Sequence, residues 1–308
     1  MNEQEGNNLR EKISYTSSMM NIKRMSPVIG AEVIGADLRS KDQSEFNNIR
    51  EALAEHSVLF FRDQPLLSPE EQVTFATQFG PLHAHPAAPA KEDNEAIFVI
   101  KTDSKSKIAN GNGWHTDVSC DKEPPLVTML QLHEVPELGG DTLFSSMYAA
   151  YETLSPRLKA FISKLSAHHK SEHVYRGRYS DRGVTDKSHY PSSIHPVVAA
   201  HPLSGRPVLY VNPSFTTEIH GLSKHESRAL LDLLFTHQSR LEFQVRFQWT
   251  PNAIALWDNR SAQHFAMWDY WPQPRRGHRV TIKGAALEQG NEIDSKYYGN
   301  LRLSRSRL

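Results

Sequence analysis

The sequence predicts a mainly β fold, an antiparallel sandwich or barrel with helices packed outside. Two observations carry this. The segments "PLVTMLQLHEV", "RPVLYVN", "NAIALWDN" and "RVTIKG" are short apolar runs bounded by proline, glycine and asparagine turns, spread over about 160 residues. They also lack the regular strand–helix alternation of a parallel sheet.

The elements follow in order. Residues 1–22 are polar and aperiodic and read as a mobile arm, residues 23–286 as a single domain, and residues 287–308 as a solvated tail ending in the basic "NLRLSRSRL". Phe46, Ile49 and Leu53 recur at helical spacing, and "HSVLFFRDQ" after them reads as a strand. Ser68-Pro69-Glu70-Glu71 offers a cap, a first-turn proline and a glutamate three residues past the cap, which starts a helix that Gly80 is expected to end. Ser223-Lys224-His225-Glu226 repeats the capping pattern before "SRALLDLLFTH". Phe243, Val245, Phe247 and Trp249 then alternate with polar residues, as in a half-buried strand. The stretch 168–193 is too polar for core and too long for a hairpin turn, so it is expected to be a long loop, a lid or a disordered segment.

Composition narrows the function classes. Lys plus Arg equals Asp plus Glu at 35 each, so no global field favours nucleic acid, an anionic membrane or an acidic partner. Attraction for an anion must be local. Cys120 is the single cysteine, which excludes an intrachain disulfide framework and any cysteine-rich zinc or iron–sulfur site. No run of about 18 apolar residues is present, nor the apolar centre of a secretory signal, and a reducing cytoplasm is the expected location.

The chemistry gathers around "GNGWHTDVSC", residues 111–120. In an extended segment residues i and i+2 share a face, so His115 and Asp117 can offer a nitrogen and an oxygen to one ion. Such a pair alone is also an ordinary polar turn. A third ligand has a candidate in His264, placed by the pattern in a loop after the "NAIALWDN" strand. Two histidines and a carboxylate on one face of an octahedron are the donor set of non-haem Fe(II) oxygenases. The competing readings are a hydrogen-bonded loop histidine at 264 and an exposed basic strand edge at Arg275, Arg276 and Arg279. Trp257, Phe265 and Trp268 read as packing residues, and His83, His133, His168 and His169 as surface or supporting residues without an assigned partner.

Eight segments, in this order and mutual spacing, carry a family resemblance: "GAEVIGADL", "FGPLHAHP", "WHTDVS", "GGDTLFSSMYAAYETLS", "HPVV", "NPSFTTEI", "EFQVRFQWTPNAIALWDNRSAQHFA" and "PRRGHRVTIKG". Residues 25–284 resemble the taurine dioxygenase family of Fe(II)/2-oxoglutarate-dependent dioxygenases, which includes alkylsulfatase and phenoxyalkanoate members, and come nearest its taurine and alkylsulfatase branch. The resemblance implies a double-stranded β-helix (jelly-roll) core. It implies His115, Asp117 and His264 as catalytic iron ligands, with 2-oxoglutarate and O2 as cosubstrates. Arg275, eleven residues after His264, would pair with the far carboxylate of 2-oxoglutarate, and Thr142 of "GGDT" would donate a hydroxyl to it. A guanidinium holds a carboxylate in a two-point fork, which lysine cannot.

The reaction so implied is hydroxylation of a small anionic molecule, a sulfonate, alkyl sulfate or aryloxyalkanoate, coupled to oxidation of 2-oxoglutarate to succinate and CO2. Arg279 would receive the anionic group, with His85, Val118 and Phe215 lining the substrate side. Ala88 stands where the taurine enzyme has a tyrosine, which argues for an anion longer or bulkier than taurine. Family members are usually dimers or tetramers, so a homo-oligomer is expected. Two other classes use similar parts. A zinc hydrolase also binds metal through two histidines and a carboxylate, but has no need of the Arg275 clamp. A non-catalytic sandwich-fold binding protein would be favoured by a missing ligand, and none is missing. Halogenation, which goes with a small residue in place of the carboxylate, is argued against by Asp117.

Overall fold

The structure is a computed structural model and describes residues 20–85, 97–108, 110–178 and 189–290. Its strands are β1 (Asn21–Arg24), β2 (Ala31–Ile34), β3 (Val58–Phe61), β4 (Phe98–Thr102), β5 (Val127–Glu134), β6 (Thr142–Ser146), β7 (Ser166–Lys170), β8 (Ser192–Pro196), β9 (Val198–Ala200), β10 (Pro207–Leu209), β11 (Thr216–Ile219), β12 (Gln244–Phe247), β13 (Ile254–Asp258), β14 (Ala262–Ala266) and β15 (Arg275–Thr281). The helices are α1 (Gln43–His56), α2 (Pro69–Ala76), α3 (Met147–Glu152), α4 (Pro156–Ile162), α5 (Glu172–Tyr175) and α6 (Lys224–Gln238).

A seven-stranded sheet in the order β1-β2-β3-β13-β5-β15-β4 faces a three-stranded sheet in the order β12-β6-β14. All pairs are antiparallel except β2 with β3. The mainly β expectation holds, and the arrangement is a jelly-roll core open at its edges. The apolar runs of the large sheet are continuous rather than alternating because both faces are covered. Leu59 and Phe61 of β3, Met129 of β5, and Ile254 and Leu256 of β13 meet Phe46, Ile49 and Leu53 of α1 and Phe75 of α2. Their alternates, Val58, Phe60, Leu130, Leu132, Ala255 and Trp257, turn toward Phe144 of β6 and Val245 and Phe247 of β12. Phe60 stacks on Phe247 at 4.0 Å between ring centroids, which ties the two sheets together.

The helices begin where their caps lie. Asp42 accepts from Ser44 N at 2.8 Å, and Ser68 and Ser223 both form reciprocal capping boxes, with Glu71 and Glu226. Helix α2 closes earlier than expected, at Ala76 rather than Gly80, because the N–H groups of Gln78, Phe79 and Gly80 donate only three residues back, to Phe75 O, Ala76 O and Thr77 O, in turns rather than in α-helical bonds. Three further expectations need correction. His264 lies within β14, not in a loop, because the strand after "WDNRS" runs directly along β6. The "RVTIKG" strand starts at Arg275 and lies inside the sheet between β5 and β4, so Arg275 and Arg279 are buried and only Arg276 is exposed. Residues 168–170 belong to β7, the middle strand of a β11-β7-β8 sheet, and residues 172–175 form α5; residues 179–188 lie outside the described residues.

Burial of β15 makes one glycine indispensable. A Cβ at Gly277 would sit 2.1 Å from the backbone oxygen of Gln131 on β5, where no side chain can yield. Gly277→Ala is therefore expected to destabilise the fold by about 1–3 kcal/mol or more. Thermal unfolding of the purified variant checks this, and an unchanged midpoint would contradict the close approach of β15 to β5.

Candidate active site

The ligand segment is held against β14 by backbone pairing. His115 N–H donates to His264 O at 3.1 Å and His264 N–H to His115 O at 2.8 Å, which sets the two rings 4.1 Å apart. The glycines before it have a steric reason. Gly111 has φ +79°, and a Cβ there would press on the His115 ring at 3.2 Å. Thr116 donates its hydroxyl to Asn259 O. Val118 follows Asp117 with φ 44°, a left-handed conformation that a β-branched residue holds only when its surroundings impose it.

His115, Asp117 and His264 each present a ligand atom within 4.8 Å of the others. The Nε2 atoms of His115 and His264 lie 4.0 and 3.9 Å from Asp117 Oδ1. His115 donates Nδ1–H to Gly113 O at 2.8 Å, which leaves its Nε2 lone pair directed into the site. Burial pushes the His115 pKa below the ordinary value, and burial together with neighbouring His115 pushes that of His264 further down. Both imidazoles are therefore neutral, the form that binds a metal. Burial alone would raise the Asp117 pKa, but the Arg279 guanidinium, helped by the Thr128 hydroxyl, holds it well below the usual carboxylate range. Two neutral nitrogens and one ionised carboxylate suit a divalent transition metal.

Asp117 is oriented by a directed chain of hydrogen bonds. Trp257 Nε1–H donates to Asn259 Oδ1 at 3.0 Å, Asn259 Nδ2–H to Thr128 Oγ1 at 2.8 Å, and Thr128 Oγ1–H to Asp117 Oδ2 at 2.8 Å. Because the indole can only donate, it settles which way the amide faces and so which way the hydroxyl points. Oδ2 is thereby occupied, and Oδ1 is left facing the histidines and Arg279, whose Nη1 donates to it at 3.0 Å.

These groups line one cavity of about 950 Å³, counting its mouth open to solvent. Its lining brings together His85, His115, Asp117, Val118, Thr142, Phe215, His264, Arg275 and Arg279. Ala88 lies outside the described residues. At one end Arg275 is buried, with its guanidinium carbon 5.7 Å from the Trp249 ring centroid, and among the described residues its Nε and Nη2 have no hydrogen-bond partner. Arg279 stacks on Phe98 at 4.9 Å, and beyond its bond to Asp117 its Nε and Nη2 likewise have no partner among the described residues. Two buried guanidinium groups with open donors, of which Arg279 alone pairs with a carboxylate among the described residues, make a cavity built for anions.

Several residues of this site were not singled out in the sequence. Thr128 and Asn259 are such residues, and Trp257, expected only to pack, also orders the chain to Asp117. Three histidines to which the sequence assigned no partner acquire one: His83 pairs with Asp121 at 2.7 Å, His168 with Glu218 at 3.1 Å, and buried His169 bonds Ser119 at 2.9 Å. Cys120 is buried, and burial pushes its thiol up to about 12, which makes it inert rather than nucleophilic.

Comparison with known proteins agrees with this geometry. Residues 21–281 match the taurine catabolism dioxygenase TauD, TfdA family. The chain belongs to this family. Among its relatives is an alkylsulfatase of Acinetobacter baylyi, 36% identical over 294 residues, covering 92% of this chain and 91% of the relative. Another is an alpha-ketoglutarate-dependent sulfate ester dioxygenase of Pseudomonas putida, 35% identical over 266 residues, covering 83% of this chain and 87% of the relative. A crystal structure of a taurine dioxygenase from Burkholderia xenovorans superposes with a TM-score of 0.76 at 35% identity, covering 88% of this chain and 94% of that one. No helix among the described residues is long and apolar enough to cross a membrane.

Proposed function

We propose that this family member is an Fe(II)/2-oxoglutarate-dependent dioxygenase that hydroxylates a small anionic organic molecule, a sulfonate, an alkyl sulfate or an aryloxyalkanoate. The observation that carries the reading is Arg275. A buried guanidinium whose Nε and Nη2 find no hydrogen-bond partner among the described residues, lining the same cavity as a two-histidine, one-carboxylate cluster, calls for a bound carboxylate. A zinc hydrolase has no use for it.

His115, Asp117 and His264 would hold the metal, and Arg275 with Thr142 the far carboxylate of 2-oxoglutarate. When bound, the metal and 2-oxoglutarate together supply the oxidising power, 2-oxoglutarate and O2 being converted to succinate and CO2 as a substrate carbon is hydroxylated. The work of the chain is placement. Arg279 offers its open Nε and Nη2 to the substrate anion while its Nη1 keeps Asp117 ionised, so the substrate's charged end is anchored beside the metal ligand. His85 packs against the same Phe98 ring, 4.8 Å between rings, and lines the same cavity as a second polar group for the anion. Phe98, Val118 and Phe215, which pack in one cluster, exclude water around the carbon chain.

The test is succinate formation from 2-oxoglutarate across a panel of sulfonates, alkyl sulfates and aryloxyalkanoates, with neutral alcohols of matched length beside them. Anions are expected to drive turnover and neutral analogues to fail. Arg279→Leu is expected to lower kcat/KM for the anions by at least tenfold, since losing one partner of a buried charged contact costs about 2–5 kcal/mol. Sulfate release that proceeds without O2 and 2-oxoglutarate would instead establish hydrolysis. Within this class we read the substrate as longer or bulkier than taurine, from Ala88 in the sequence. A wild-type ranking with taurine above every longer anion would reject that part alone. We read the assembly as a homodimer or tetramer, which light scattering on the purified protein checks.

A further inference from the structure

Thr142 is reached by one tryptophan from a distant part of the chain. β12 pairs with β6 so that Phe247 lies opposite Thr142, and the chain beyond β12 then brings Trp249 back to it. The indole Nε1–H of Trp249 donates to Thr142 Oγ1 at 3.0 Å, and both residues are buried. An indole nitrogen can only donate, so it occupies a lone pair of the hydroxyl and the hydroxyl's own proton must be given elsewhere. Among the described residues Thr142 has no acceptor for it. Thr142, Trp249 and Arg275 line the same cavity, and the Arg275 guanidinium lies over the Trp249 ring.

We propose that Trp249 is a positioning residue for 2-oxoglutarate: its N–H fixes the Thr142 hydroxyl as a donor and its ring supports Arg275, so that both aim at one incoming carboxylate. Trp249 touches neither the metal ligands nor the reacting carbon in this role. Its effect passes through Thr142 and Arg275 to the affinity for the cosubstrate and not to the oxidation step. The inference rests on the reading of Arg275 and Thr142 as the 2-oxoglutarate carboxylate site.

The experiment is a double-mutant cycle of Trp249→Phe and Thr142→Val, with Thr142→Ser as the conservative control. Binding of N-oxalylglycine, an unreactive analogue of 2-oxoglutarate, to the Mn(II)-loaded protein is measured by calorimetry, and the kinetics are run beside it. Trp249→Phe keeps an aromatic ring against Phe247 and removes the N–H donor together with part of the ring surface near Arg275. Each single variant is expected to weaken binding about tenfold or more, the loss of one hydrogen bond to a charged group. The double variant is expected to be no more than about twofold worse than either single, and Thr142→Ser to stay within about threefold of wild type. The KM for 2-oxoglutarate should rise while kcat at saturation stays within about threefold.

In 15N-tryptophan-labelled protein without metal, the Trp249 indole proton should exchange slowly in wild type and Thr142→Ser and lose that protection in Thr142→Val. Additive losses in the cycle, unchanged binding in Trp249→Phe, or an unprotected indole proton in wild type would each overturn the proposal. Should Trp249→Phe not fold, the exchange measurement and the Thr142 pair decide it. If Arg275→Leu leaves N-oxalylglycine binding intact, the 2-oxoglutarate reading fails; if it abolishes binding and the cycle is additive, only the role of Trp249 fails.

Discussion

Asp117→Ala is expected to abolish metal-dependent turnover, a loss of about a hundredfold or more, beyond the 10–100-fold that follows removal of a supporting hydrogen bond around a metal. Asp117 is the only carboxylate of the three-residue cluster and the acceptor on which the Trp257–Asn259–Thr128 chain converges. It is also the counter-ion of buried Arg279. Removing it leaves that guanidinium unpaired as well as the metal under-ligated, so the variant should fold with a lower thermal midpoint. Metal titration and succinate formation on the purified variant check the functional part. Wild-type turnover with iron and 2-oxoglutarate in Asp117→Ala would remove the metal-site assignment. Thr128→Val provides a graded comparison: it keeps the carboxylate, loses its orienting donor, and should fall in the smaller range.

Arg275→Leu should raise the dissociation constant for 2-oxoglutarate at least tenfold, the contact being worth about 2–5 kcal/mol when one charged partner of a buried pair is lost. The same substitution should leave the ligand-free protein as stable as wild type or more so. In that state Arg275 is a buried charge whose pKa burial already pushes down and whose Nε and Nη2 have no hydrogen-bond partner among the described residues. An apolar residue of similar reach removes that penalty. Lower cosubstrate affinity together with equal or higher thermal stability is a combination that simple loss of packing does not produce. Arg276→Leu is the control one residue away: Arg276 is exposed on the other face of β15 and pairs with Glu134 at 3.0 Å, so little should change. The reverse pattern, with Arg275→Leu silent and Arg276→Leu damaging, would move the clamp along the strand.

Helices α2 and α6 were legible from their caps, because each cap is a contact within three residues, and α1 from the helical spacing of Phe46, Ile49 and Leu53. Ser68 and Ser223 bond backbone that their own neighbours place, whatever the rest of the chain does. The core strands were legible as apolar runs because burial on both faces leaves no room for polar alternation. The residue types around 115–117, 264 and 275–279, with their spacing, were enough to point to a metal and an anion. Local pattern could not decide which way those residues face. His264 reads as a loop residue until β14 is laid along β6, and Arg275 and Arg279 read as an exposed edge until β4 is paired on the far side of β15.

The residues that orient the site were silent for the same reason. Trp249 and Thr142 are 107 residues apart, and Asn259 and Thr128 131 apart, and each pair meets only through strand register. Periodicity along one strand reports burial of that strand alone. The partner across a sheet is set by long-range pairing, whose entropy cost is recovered only when the two sheets close on Phe60, Phe144 and Phe247. The sequence by itself determined the elements and the chemical inventory of this protein. The tertiary structure decided which of those groups are buried, which are left without a partner, and therefore which of them wait for a ligand.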